Sequence, residues 1–331
     1  MTTTAPGRPS SAAHVRSALR PKPVSLATRI LRRADGSVAP YVYVAPFFLI
    51  FIAFGLFPIL YTAYISVTDR DLLRPGAETF IGLANYRELF TDDYFWNAAK
   101  NTFVLMVMCS VPQLVLALIL AHLLAARLRI PTFFRMGVLL PNVTSIVAVT
   151  LIFGQIFSRD FGVVNWVLSL FGVDRTNWQA GDWTSKSALA AMVVWRWTGY
   201  NALIYLAAIQ AIPKELYEAA AMDGAGTWRQ LWHVTLPALR PTIAFTALVS
   251  LIGQMQLFTE PLLFDASPGS VSGGSARQFQ TLTLFMYEQG FRLLHMGYGA
   301  AVTWLLFLIT FFLAGFGYVL TRRGVLARGS A

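Results

Sequence analysis

Long apolar runs separated by short polar stretches set the character of this chain. Six runs stand out, at residues 41–67, 98–125, 133–157, 187–210, 241–264 and 297–320. A bilayer core of ~30 Å takes about 20 residues of helix. Each run is long enough, so the pattern predicts six transmembrane helices in an all-α membrane protein. Pro58 and Pro112 fall inside two of the runs. Neighbouring helices tolerate such prolines as packing kinks, and a hinge role is the alternative.

Composition agrees with that pattern. Of 331 residues, 56% are hydrophobic and 13% charged, against roughly 25% charged in soluble domains. The mean hydropathy is positive. Residues 1–40 are rich in Pro, Ser, Ala and Arg and lack apolar periodicity. They are expected to form a disordered, basic tail. The first run is too long for the ~7–15-residue core of a cleaved signal, so an uncleaved first span is expected. The single cysteine, Cys109, excludes an intramolecular disulfide and a cysteine-based zinc cage.

Charge gives orientation. The net charge is +10, but the basic residues cluster at the ends of runs and do not line one polar face. Residues 1–40, the turn with Arg127, Arg129 and Arg135, the segment 211–240 and the tail 321–331 hold 16 Lys and Arg, against eight in the opposite loops. Positive charge stays inside. Both termini and segment 211–240 are therefore expected to be cytoplasmic. The domain plan is a tail over 1–40, a six-helix domain over 41–320 with a cytoplasmic loop at 211–240, and a C-terminal tail over 321–331.

Segment 213–237 has the chemistry of two helices around a tight turn. Pro213 suits a first helical turn. Glu215 and Glu218 complement the positive end of a helix. Ala219, Ala220 and Ala221 are strong helix formers with little bulk. Gly224 is placed to end the helix with a positive φ. Thr227 is a plausible N-cap for a second helix, through Trp228 and Leu231 to Pro237, with a new span starting at Pro241. An alanine-faced helix can approach a partner closely, and Glu218 offers a charge to an arginine across an interface. Gln230 is expected to be a bystander. An ordinary capped hairpin is the alternative reading.

The segment resembles the EAA loop of bacterial ATP-binding-cassette import permeases. The pattern is Glu-Ala-Ala, three residues, Gly, nine residues, an aliphatic residue, any residue, then Leu-Pro. Glu218, Ala219, Ala220, Gly224, Val234, Leu236 and Pro237 match at that spacing, and Asp223 with Gly224 and Ala225 adds the sugar-permease form. Ile81 to Tyr86, Arg135 to Pro141, Gly162 and Asn165 are similar to further family segments, whereas the Ser/Gly-rich stretch 265–276 departs from the usual Thr-Gly-Gly-Gly-Pro. The resemblance is to permease subunits of carbohydrate importers of the maltose and glycerol-3-phosphate type. It implies the type I importer permease fold, with coupling helices on the cytoplasmic side. It implies a second homologous permease chain, two ATPase subunits that bind ATP and Mg, and an extracellular solute-binding protein. It also implies import of a di- or oligosaccharide across the bacterial inner membrane. Glu218, Ala219, Ala220, Asp223, Gly224, Leu236 and Pro237 would then contact the ATPase.

Two features of the residues bear on that expectation. No Gly-x4-Gly-Lys-Ser/Thr loop occurs, so ATP must bind elsewhere. No pair of His, Asp or Glu within the runs suggests catalysis or a metal; no catalytic or metal-binding residue is expected, and no cofactor on this chain.

Candidates for a solute path are Trp197, Asn201 and Tyr205, which share one helix face, Gln256 and Glu260, which share another, and Asn142. Polar groups are costly in lipid and are expected to face the bundle or water. Hydrogen bonds between helices are the alternative. Arg196 could snorkel, pair with Glu260 or meet a partner chain. Two other functions are the alternatives. An ion-coupled secondary transporter would want intramembrane carboxylates, and only Glu260 offers one. A transferase acting on a lipid-linked sugar would want clustered acids or histidines in a loop, and no convincing cluster is present.

Overall fold

The computed structural model describes residues 2–3, 39–73, 76, 78–125, 130–265 and 273–326. Nearly all of the 1–40 tail, most of the Ser/Gly-rich stretch and the last five residues lie outside the described residues. All regular elements among the described residues are helical, apart from two isolated bridges, Thr68–Phe80 and Asp71–His295. The chain divides into two compact units, 1–61 and 62–331.

The first unit holds most of α1, Pro40–Ser66. Its helix widens into a π-turn at Ile52–Leu56, where the N–H of Phe57 bonds the carbonyl of Ile52. Pro58 follows at once. A proline ring presses on the carbonyl four residues back, and a widened turn relieves that pressure.

The second unit begins with α2 (Ala84–Thr91) and α3 (Asp93–Ala125). It continues with α4 (Pro131–Val143), α5 (Ile146–Ile156), α6 (Val163–Ser169) and α7 (Asp182–Gln210). Next come α8 (Lys214–Met222), α9 (Thr227–Met255) and α10 (Thr259–Leu263). Last are α11 (Leu282–Tyr287) and α12 (Met296–Leu326). Four helices, α1, α3, α9 and α12, are long and apolar enough to cross a membrane, and α4 with α5 makes a fifth if that bent pair is one span. The expected fourth span is α7. Its 29 residues are ample in length, but Arg196, Asn201 and a run of Trp and Tyr make it too polar to join those four.

Two expectations are corrected. Run 133–157 is not one continuous helix. It breaks between α4 and α5, which meet at 90°. Thr144 and Ser145 are extended, with ψ of 146° and 126°. The hydroxyl of Thr144 donates to the carbonyl of Leu140 at 2.7 Å, as such side chains do when they compete with the helix. The second helix of the 213–237 segment does not stop at Pro237. It runs unbroken into the fifth span as α9. A π-turn at Leu231–Thr235, with Leu236 N–H reaching Leu231, accommodates Pro237, and Pro241 sits inside the helix.

The core of this unit forms where α7 packs against α3. Ala117 and Ala121 of α3 and Ala202 of α7 are fully buried beside Tyr205, Leu206 and Leu239. Small residues let helix backbones approach without a large hydrophobic driving force. The loop motifs are stitched by amides. Asn85 donates to the carbonyls of Ser66 and Thr68 at 2.9 and 3.0 Å. Asn165 donates to Arg159 and Thr176 and accepts from the indole of Trp178. Asparagine suits both places because one amide replaces backbone partners on both sides.

Candidate functional site

Two places carry the candidate residues, and one helix joins them. The first is the α8–α9 turn. Gly224 has φ of +77°. Ala225 N–H bonds the carbonyl of Ala220 at 2.9 Å, and Gly224 N–H that of Ala221 at 3.0 Å. This is the Schellman arrangement, which needs a left-handed residue at the glycine position. Glu218, Ala219, Asp223 and Gly224 are exposed, and Met222 beside them is 90% exposed. Leu236 and Pro237 are half-buried at the start of the membrane stretch of α9. Gln230 is not a bystander: its amide donates to the carbonyl of Ala225 at 3.1 Å and closes the turn.

The second place is a cavity of ≈ 310 Å³ between α3, α7, α9 and α10, with Ile146 at the α4–α5 break on its wall. Trp197, Asn201, Gln256 and Glu260 all line it. Tyr205 and Asn142 do not. Tyr205 is fully buried, and its hydroxyl pairs with that of Thr246 at 2.6 Å. Asn142 sits half-buried at the end of α4.

The cavity also contains polar groups absent from the sequence-based set. Gln113 donates to the hydroxyl of Ser250 at 3.2 Å, and Gln254 donates to the carbonyl oxygen of Gln113 at 3.2 Å. All three line the cavity. Gln254 is 4% exposed, yet its Oε1 has no partner among the described residues. A buried acceptor left over in this way is poised for a donor from a bound molecule. The signal in the sequence was an amide, Gln113, in the middle of a long apolar run. No Lys, Arg or His is among the described residues that line the cavity. Arg196 makes no ion pair with Glu260 among the described residues. Its guanidinium lies 6.0 Å from the Trp197 ring, and its Nε is unpartnered.

The two places lie on one continuous helix. α9 begins at the turn, at Thr227, and its far end, from Val249 to Gln254, forms a cavity wall. At ~1.5 Å per residue this rod is ~43 Å long.

Residues 101–324 match the family described as "Binding-protein-dependent transport system inner membrane component". The chain belongs to this family. It is 36% identical over 274 residues to the lactose transport system permease protein LacF of Rhizobium radiobacter, covering 81% of this chain and 89% of that one. It is 34% identical over 278 residues to the arabinooligosaccharides transport system permease protein AraP of Halalkalibacterium halodurans, covering 83% and 84%. The fold matches a chain of a bacterial alginate ABC transporter crystallised with a pentasaccharide-bound periplasmic protein. The TM-score is 0.77 at 23% identity, over 89% of this chain and 98% of that chain. The family membership makes this a multi-pass permease subunit of an ABC importer. It is a transport component and not an enzyme, and ATP hydrolysis falls to a separate subunit.

Proposed function

We propose that this permease forms half of the pore of a bacterial importer for a neutral di- or oligosaccharide. The single observation that carries this reading is α9, which links an exposed, glycine-capped turn to the wall of a polar cavity. The turn, with Glu218, Ala219, Ala220, Asp223, Gly224, Leu236 and Pro237, seats in an ATPase subunit. The cavity, with Trp197, Tyr200, Asn201, Gln254, Gln256 and Glu260, is the solute path. Amides, hydroxyls and aromatic faces suit a sugar. An anionic solute would lose its hydration there, beside the Glu260 carboxyl and with no Lys, Arg or His among the described lining residues. The similarity to LacF and AraP, transport permeases for lactose and arabino-oligosaccharides, supports a sugar.

In this reading α7 is the fourth of six spans, and both termini and the α8–α9 turn are cytoplasmic at the inner membrane. A second permease chain completes the pore. Two ATPase subunits bind ATP and Mg, and an extracellular binding protein delivers the sugar. The test is reconstitution of the four kinds of subunit in proteoliposomes, with lactose and arabino-oligosaccharides as probes. Vanadate-sensitive uptake driven by ATP is expected. Uptake driven by an ion gradient without ATP would overturn the reading in favour of a secondary transporter.

A further inference from the structure

The short helix α8 holds the exposed face of the turn, but the long helix α9 reaches the cavity. The backbone between them is only residues 223–226, with a left-handed glycine at its centre. Such a turn fixes direction but resists bending weakly. A force on α8 would rotate it about Gly224 unless something braces the two helices.

One side-chain pair spans the gap. The hydroxyl of Tyr217, on α8, meets Oγ1 of Thr235, on α9, at 2.9 Å. Thr235 is 1% exposed and sits in the π-turn that precedes Leu236 and Pro237. Its hydroxyl reaches the carbonyl of Gln230, five residues back, at 3.4 Å. Either hydroxyl can donate in the Tyr217–Thr235 bond, and when Thr235 donates to Gln230 the donor is Tyr217. The Gln230 amide in turn donates to Ala225 in the turn. The result is a closed ring of bonds through helix, turn and helix. The π-turn contributes directly, because its register brings the carbonyl of Gln230 within reach of Thr235.

We propose that Tyr217 and Thr235 form a strut that makes α8 and α9 one lever, so that motion of the ATPase reaches the cavity. They are positioning residues and touch neither solute nor nucleotide. Coupling between distant sites can be carried by a hydrogen-bond network of this kind. The proposal rests on the reading of the α8–α9 turn as the ATPase seat.

The test uses the assembled transporter with all its subunits. A spin label is attached at Gly253→Cys in a Cys109→Ala background, since a Cβ at Gly253 meets nothing within 4 Å. The label's change in mobility and accessibility is read between the ATP-free and vanadate-trapped states, which requires no knowledge of the solute. Tyr217→Phe and Thr235→Val each delete one hydroxyl with little change of shape. The expected result is an ATPase that stays bound, with a label response cut by about two- to tenfold, the range one hydrogen bond sets. The double variant should be no worse than either single one, and Thr235→Ser should restore the response. A full response in Tyr217→Phe overturns the strut. So does release of the ATPase by Tyr217→Phe, because the pair would then be holding the fold of the turn. Glu218→Lys separates the two claims. If it leaves the ATPase bound and the response intact, the seat itself is wrong. If it releases the ATPase while Tyr217→Phe responds fully, the strut alone fails.

Discussion

Gly199 of α7 lies against the carbonyl oxygen of Val138 of α4, so close that any Cβ at 199 would overlap it. The two helices cross at this glycine, which sits on α7 between Arg196 and the buried Ala202. Gly199→Val should therefore force the helices apart. Overpacking of this kind costs about 1–3 kcal/mol. The check is the thermal midpoint and yield of the detergent-purified complex. Gly253→Ala, with open space around it, is expected to leave both unchanged.

The exposed turn gives a prediction of the opposite kind, with normal stability and lost coupling. Glu218→Lys reverses a charge that makes no ion pair among the described residues. Breaking a buried pair at an interface costs about 2–5 kcal/mol. Gly224→Val places a β-branched residue at φ of +77°, with free space around it, so the strain is purely conformational. Abundance in the membrane should stay near wild type. Co-purified ATPase and ATP-dependent uptake should fall. Wild-type values for both variants would reduce the turn to an ordinary capped hairpin.

Two buried polar residues should behave differently although both lie in apolar runs. Gln254→Leu removes the bond to Gln113 and the free acceptor of the cavity. Uptake should weaken mainly through a higher KM. Tyr205→Phe removes a hydrogen bond to Thr246 away from the cavity. It should lower stability by about 1 kcal/mol and leave KM unchanged. Transport kinetics and thermal melts of the two variants decide this, and a raised KM for Tyr205→Phe would put Tyr205 back in the path.

Sidedness can be read with an impermeant maleimide in a Cys109→Ala background. Ser275→Cys and Met222→Cys are both at exposed positions. The first is expected to react in intact cells and the second only after lysis. The reverse pattern would invert the proposed orientation.

Much of this molecule is local, and what is local was legible in the chain. An apolar run of adequate length must be a helix in lipid, whatever it packs against. Gly224 ends α8 because a left-handed turn excludes most other residues, and the Glu218-to-Pro237 spacing identified the family without any coordinates. Tertiary structure decided the rest. The break at Thr144–Ser145 turns a single run into two helices at 90°. Thr144 and Ser145 adopt extended backbone there, and α5 then docks so that Gly154 abuts the backbone of Phe264. The cavity needs Gln113 to meet Ser250 and Gln254 across 137 and 141 residues of chain. Periodicity on one helix cannot show which neighbour its polar face will find. For that reason Tyr205 shares a face with Trp197 and Asn201 yet ends in the core, while Gln113, in the middle of a long apolar run, lines the cavity.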